Sequence, residues 1–200
     1  MSNRVLVTVT PDGPLKISNA RSVTFCGEAV ETEGDLYLCR CGSSANAPFC
    51  DGTHGKEGFS GACETTPDKE MKVWEGNSLR THFNPNACMH VLYCKPLDDL
   101  RAAELEGDES AAEEIMRVVS TCPSGALSYE LKEELDEPTV NDGAAIEIVE
   151  GGEVRVQTLF EINAPLFERQ SEDRATLCRC GLSKSKPFCD GRHKGRKGFR

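Results

Sequence analysis

A small, β-rich α+β protein is predicted, built as two copies of one module on either side of an inserted α+β segment. Three observations predict it. A cysteine-bearing segment near the N-terminus recurs near the C-terminus at a constant offset of 139 residues. Apolar residues alternate at period two upstream of each copy, as in half-buried strands. A stretch of helical periodicity falls in the material between.

The first strand reads Val5, Val7, Val9, and the offset lays it over Ala144, Ile146 and Ile148. Gly13 then falls on Gly152, Leu15 on Val154, Ile17 on Val156 and Val23 on Ile162. Cys39-Arg40-Cys41-Gly42 recurs as Cys178-Arg179-Cys180-Gly181, and Pro48-Phe49-Cys50-Asp51-Gly52 as Pro187-Phe188-Cys189-Asp190-Gly191. His54 recurs as His193, and after one inserted residue Gly58-Phe59 matches Gly198-Phe199. These copies define modules over 1–66 and 139–200, with an insert over 67–138.

In the insert, Met71–Trp74 and Leu79–Phe83 read as a hairpin around Glu75-Gly76-Asn77. Residues 98–114 are acidic and Ala-rich and read as solvated surface. Ser110 and Glu113 form an S-x-x-E capping box that opens a helix carrying Ala112, Ile115, Val118 and Val119 on one face. Gly125 closes it shortly after Cys122-Pro123. Residues 132–143, with Glu133, Glu134, Asp136, Glu137 and Pro138, read as a linker.

The chain has 200 residues, 38% hydrophobic and 6% aromatic, a balance that suits several small cores. Eleven cysteines are an odd number, so complete intrachain pairing is impossible. No apolar run suggests a secretory leader or a membrane span. The expectation is a cytoplasmic protein whose cysteines are thiolates or metal ligands. Net charge is −10, which argues against a general nucleic-acid binder. Residues 174–200 hold nine Lys/Arg and one Asp, so a basic tail follows an acidic body. That asymmetry can orient a docking partner or pair internally.

The chemistry lies in C-x-C-x8-C-x3-H. Cys39 and Cys41 are about 7 Å apart along an extended chain and can reach one ion. Cys50 and His54 are one helical turn apart, so they are expected to share a helix face and reach a second ion. Asp51 or Thr53 can cap free N–H groups there. Two ligand pairs suit a [2Fe–2S] cluster, two ligands to each iron. The rival is zinc, for which Cys3His is a good structural set, although C-x-C is less usual than C-x2-C at a mononuclear site.

This segment resembles the CDGSH iron–sulfur motif of the mitoNEET family, C-x-C-x2-[ST]-x3-P-x-C-D-G-[STA]-H. The first copy fits throughout, with Ser44, Pro48 and Thr53 in place; the second has Ser183 and Pro187, but Arg192 at the small-residue position. The resemblance implies one [2Fe–2S] cluster on Cys39, Cys41, Cys50 and His54, and another on Cys178, Cys180, Cys189 and His193. It also implies NEET-type modules packed about a two-fold axis, here as a pseudo-dimer within one chain.

The insert is similar to the divergent single-cluster ferredoxin domain. Cys88-x5-Cys94, a helix and Cys122-Pro123 carry the likeness, since ferredoxin cluster motifs end in Cys-Pro. Val91 stands midway between the first two cysteines and cannot ligate. Three cysteines then suggest [3Fe–4S]; His90, one residue away, could instead complete [4Fe–4S]. Cys26 and Cys63 are left over and are expected to be small buried hydrophobes.

The functions these centres imply are electron transfer or redox sensing. The alternatives are transfer of clusters or handling of iron, and a zinc-bound structural or interaction module. The corresponding partners are a redox partner protein or an apo-acceptor of clusters, with no nucleic acid and no membrane. No nucleophile–base pair, phosphate loop or substrate motif suggests an enzyme. A single imidazole per ligand set should raise the potential. Lys194, Arg196, Lys197 and Arg200 near His193 should raise it further in the second module.

Overall fold

The computed structural model describes residues 4–31, 33–65, 69–92, 94–132, 145–164, 173–196 and 199. The acidic linker segment from Glu133 onward lies outside the described residues, as do Lys197 and Arg200. The first repeat forms β1 (Val5–Val9), β2 (Leu15–Ser18), β3 (Ser22–Phe25), β4 (Glu28–Ala29), β5 (Leu36–Leu38) and a single helical turn, α1 (Thr53–Lys56). The insert forms β6 (Lys72–Glu75), β7 (Leu79–Phe83), α2 (Leu97–Leu105), α3 (Glu109–Ser120) and β8 (Leu127–Leu131). The second repeat forms β9 (Ala145–Ile148), β10 (Val154–Gln157), β11 (Phe160–Ile162), β12 (Arg174–Leu177) and a 3-10 turn at Arg192–Gly195.

The period-two alternation of β1 buries Val5 and Val7 and exposes Leu6 and Thr8, the in-and-out pattern of a strand with one covered face. β1 pairs antiparallel with β2, and β2 with β5. Asn19, in the left-handed region at φ 61 where Asn is tolerated, turns the chain away from this sheet. β3 accordingly joins the other repeat, parallel to β9 with Val23 opposite Ile146. Reciprocally, β11 runs parallel to β1 with Ile162 opposite Val7. The offset of 139 converts one pairing into the other.

The sheets therefore run β11-β1-β2-β5 and β12-β10-β9-β3-β4. Each takes a strand from the other repeat, and the repeats pack as a pseudo-dimer within one chain. An antiparallel bridge joins Cys41 to Cys180, a pair that the offset maps onto itself, so the pseudo-two-fold axis passes there. One core serves both modules, with Val5, Ile17, Leu38, Ile146, Val156 and Leu177 all buried in it.

The insert has its own sheet, β6-β7-β8, and its own core of Leu79, Ile115, Val119 and Leu127. The helix face expected at Ala112, Ile115, Val118 and Val119 is buried. Its cap is Asp108, not Ser110: the carboxylate accepts the Ser110 backbone N–H at 3.0 Å and the Ser110 hydroxyl at 2.7 Å. Ser110 is thereby a donor to the cap. The acidic stretch is also not wholly solvated. Glu104 is buried and accepts the N–H groups of Asn77 and Ser78 at 2.9 and 2.7 Å, because the β6–β7 turn leaves those donors facing inward. Among the described residues, no helix is long and apolar enough to cross a membrane.

Candidate metal centres

Two backbone hydrogen bonds assemble each repeated site. The Cys39 N–H donates to Pro48 O at 2.9 Å and the Cys50 N–H to Tyr37 O at 2.8 Å. The corresponding bonds are Cys178 to Pro187 O at 2.8 Å and Cys189 to Thr176 O at 2.9 Å. Ser44 and Ser183 staple the intervening loop, each hydroxyl donating to a phenylalanine carbonyl at 2.6 Å. Asp51 accepts the N–H groups of Thr53 at 3.0 Å and Ala45 at 2.8 Å, and the Thr53 N–H pulls its carboxyl down to about 2.

Within each site the donors come in pairs. Cys39 and Cys41 Sγ are 3.5 Å apart, and Cys50 Sγ is 3.4 Å from His54 Nδ1. Cys178 and Cys180 Sγ are 3.8 Å apart, and Cys189 Sγ is 3.4 Å from His193 Nδ1. At a tetrahedral ion with thiolate bonds of about 2.3 Å and imidazole bonds of about 2.0–2.1 Å, two sulfurs stand about 3.8 Å apart and a sulfur and nitrogen about 3.6 Å. Each pair fits one metal. Cys50 and His54 do not share a helix, as the spacing suggests. α1 starts at Thr53, and the pair closes across Gly52, which turns at φ 87. Once Asp51 takes the Thr53 N–H, the chain turns there.

A mononuclear centre would draw four donors together. Among the described residues, the metal-suited donors that converge within 4.8 Å are Glu153, Cys189 and His193. Glu153 Oε2 faces His193 Nε2 at 3.3 Å, so in the second module a carboxylate joins the Cys189–His193 pair, and Cys178 and Cys180 stand outside that group. Two separated pairs favour a sulfide-bridged binuclear group. Arg40 adds to this fit. It is buried, donates to Gly13 O at 2.7 Å and Thr10 O at 2.8 Å, and stacks on Phe59. Its Nη1 has no hydrogen-bond partner, and its charge acts on Cys178 of the other module. Buried unpaired donors are costly, and an anionic cluster would supply the missing acceptor. Arg179 repeats the arrangement toward Gly152, Val149 and Phe199, and lines the pocket of Cys39.

The two sites are not electrically equivalent. Cys178, Cys180 and Cys189 are buried, whereas Cys50 is half-exposed. A hydrogen bond from Cys180 holds the Cys178 thiol below its ordinary value, while Cys180 is pushed up. Burial raises Cys189 to about 12 and lowers His193. Glu153 has no counterpart in the first module, where the offset places Pro14. Arg196 reaches the carbonyls of both Cys41 and Cys180 and the Ser43 hydroxyl, so its charge is shared between modules. The basic tail therefore does not act on the second site alone.

In the insert, Cys88, Cys94 and Cys122 line one cavity together with Val91 and Pro123. Burial raises the Cys88 thiol, and Cys122 and Cys94 add to the rise. His90 also lines this cavity, with Nδ1 3.7 Å from Cys88 Sγ, so the structure keeps it within reach of the same centre. Cys26 and Cys63, expected to be buried, are exposed. Cys26 sits in a turn at φ 54, and Cys63 hydrogen-bonds Thr65 O at 3.2 Å beyond the repeat.

Sequence reasoning missed Glu153, Arg40 and Arg179, and it placed Arg196 beside the second site without its contacts to Cys41 and Ser43 of the first. The arginines left a signal, since the middle residue of C-x-C is Arg in both copies. Glu153 left a weaker one, an ionisable residue where the repeat has proline. Arg196 was visible in the basic tail, but its reach into the first module left no signal.

The family described as iron-binding zinc finger, CDGSH type, matches residues 12–55 and 142–194. The family described as divergent 4Fe-4S mono-cluster matches residues 74–132. No curated protein and no solved structure matches the chain.

Proposed function

The chain is a two-motif CDGSH protein whose modules flank a divergent 4Fe-4S mono-cluster domain, and from its iron–sulfur character we propose that it is a one-electron carrier with three centres. Two are [2Fe–2S] clusters, one on Cys39, Cys41, Cys50 and His54, the other on Cys178, Cys180, Cys189 and His193. The third, on Cys88, Cys94 and Cys122, is [3Fe–4S], or [4Fe–4S] with His90 as fourth ligand. The observation that carries this reading is the twice-repeated pairing of donors at single-metal spacing, 3.4 to 3.8 Å within a pair. The bound clusters supply reversible one-electron chemistry. The protein's own residues do the rest: backbone N–H groups point at the sulfurs, as from Gly42 to Cys39 and Gly191 to Cys189, both at 3.3 Å, and favour the charged ligands.

Anaerobic purification with iron, sulfide and zinc analysis tests the proposal. With [3Fe–4S] in the insert the expected count is about seven iron to eight sulfide; with [4Fe–4S] it is about eight to eight. A colourless protein with zinc and no sulfide would overturn it. A second reading, donation of clusters to an apo-acceptor, is favoured by the half-exposed Cys50 and His54. Rapid delivery of the first-module cluster, without redox cycling by a reductase, would select that reading.

A further inference from the structure

The ligand loops meet in an order different from their order along the chain. The loop of Cys88 to Cys94 reaches the second module. A Cβ on Gly191, which turns at φ +82, would stand 2.8 Å from the Met89 carbonyl. Met89 adjoins Cys88, and the Gly191 N–H donates to Cys189 Sγ, so the two ligand loops touch through their backbones.

A second contact joins the same two sites. The Thr176 hydroxyl donates to Pro123 O at 2.8 Å, and Thr176 O accepts the Cys189 N–H at 2.9 Å. Thr176 thus links the peptide after Cys122 to that of Cys189. Arg174 secures this face by donating to Val119 O at 2.6 Å.

Among the described residues, the first module makes neither contact. Gly52, with nearly the same backbone at φ +87, has nothing within 4 Å of a built Cβ. Tyr37, the counterpart of Thr176, is 48% exposed. The first module instead meets the second at the pseudo-two-fold axis, where Cys41 bridges Cys180. There a Cβ on Gly42 would meet Cys180 O at 2.7 Å, and one on Gly181 would meet Cys41 O at 2.8 Å.

Resting on the three-centre reading, we propose that the sites form a relay in the spatial order insert, second module, first module. The buried Cys178, Cys180 and Cys189 hold the middle position. The open ends are His90 and Leu92 in the insert, and Cys50 and His54 in the first module. One electron enters at one end from a reduced one-electron carrier protein, and one leaves at the other to an oxidised carrier. No bond is made or broken within the chain.

The test uses the full-length, cluster-loaded protein reduced with dithionite, and reads magnetic splitting of the insert centre by electron paramagnetic resonance, in perpendicular mode for [4Fe–4S] and in parallel mode for [3Fe–4S], whose reduced form has integer spin. Splitting is expected in the parent, kept in Cys39→Ser/Cys41→Ser, and lost in Cys178→Ser/Cys180→Ser. Gly191→Ala and Gly52→Ala carry matched backbone strain without removing a ligand, and serve if the cysteine variants fold poorly. Gly191→Ala should weaken the splitting and Gly52→Ala leave it unchanged. Loss with the first-module variants, or an unsplit signal in a parent with full iron and sulfide, overturns the order. A parent without sulfide overturns the three-centre reading itself.

Discussion

At the scale of single residues, the candidate ligands were legible because metal chemistry restricts such donors to Cys and His at short spacings, and the repeat displayed them twice. Of the groups that modulate them, only the basic residues after His193 were legible. Glu153 is 2% exposed and meets both His193 Nε2 and Arg155, the latter at 2.9 Å. A carboxylate behind a ligating imidazole orients the ring and makes it a stronger donor. Here its contact at Nε2 leaves His193 Nδ1 facing Cys189 Sγ at 3.4 Å. Glu153→Gln should raise the midpoint potential of the second module and speed its iron loss by about 10–100-fold, with the first module unaffected. A redox titration with parallel chelator kinetics checks this, and equal responses in the two modules would contradict it. Arg40 and Arg179 show the same limit, since the cross-module placement of their charges exists only after the strands exchange.

Among the elements, the period-two strands and the amphipathic face of α3 were readable because alternation and helical spacing are local consequences of burial on one side. The ends were less so. Helix starts compete among neighbouring polar residues, and Asp108 took the cap that the S-x-x-E pattern assigned to Ser110. The Ser110 hydroxyl and N–H hold the Asp108 carboxyl below its usual range. Its contribution to stability is therefore present above about pH 4, the unfolded value for Asp, and is lost as pH falls through the lower folded value. Parent protein should melt above Asp108→Asn near neutral pH, with the difference closing in acid. Thermal melts of both proteins across that range supply the check. Glu104 makes a related point, because an acidic run reads as solvent-facing until a tight turn requires an inward acceptor.

For the whole molecule, the exchange of β3 and β11 makes the two modules one folding unit with a shared core. A fragment of residues 1–66 lacks the strand that covers the outer edge of β1, but its own β3 corresponds to β11 under the repeat. Two such fragments can complete each other. The fragment should sediment as a dimer, and a folded monomer would show that the exchange is dispensable. The sequence by itself determined the repeat, the α+β class, the donor residues and the insert, because each is written in local spacing and in identity at a constant offset. Only the tertiary structure decided which loops touch: a carbonyl from Met89 against Gly191, a Thr176 hydroxyl on Pro123, and an axis through Cys41 and Cys180. Those contacts come from surfaces far apart in the chain, and their order in space is set by packing.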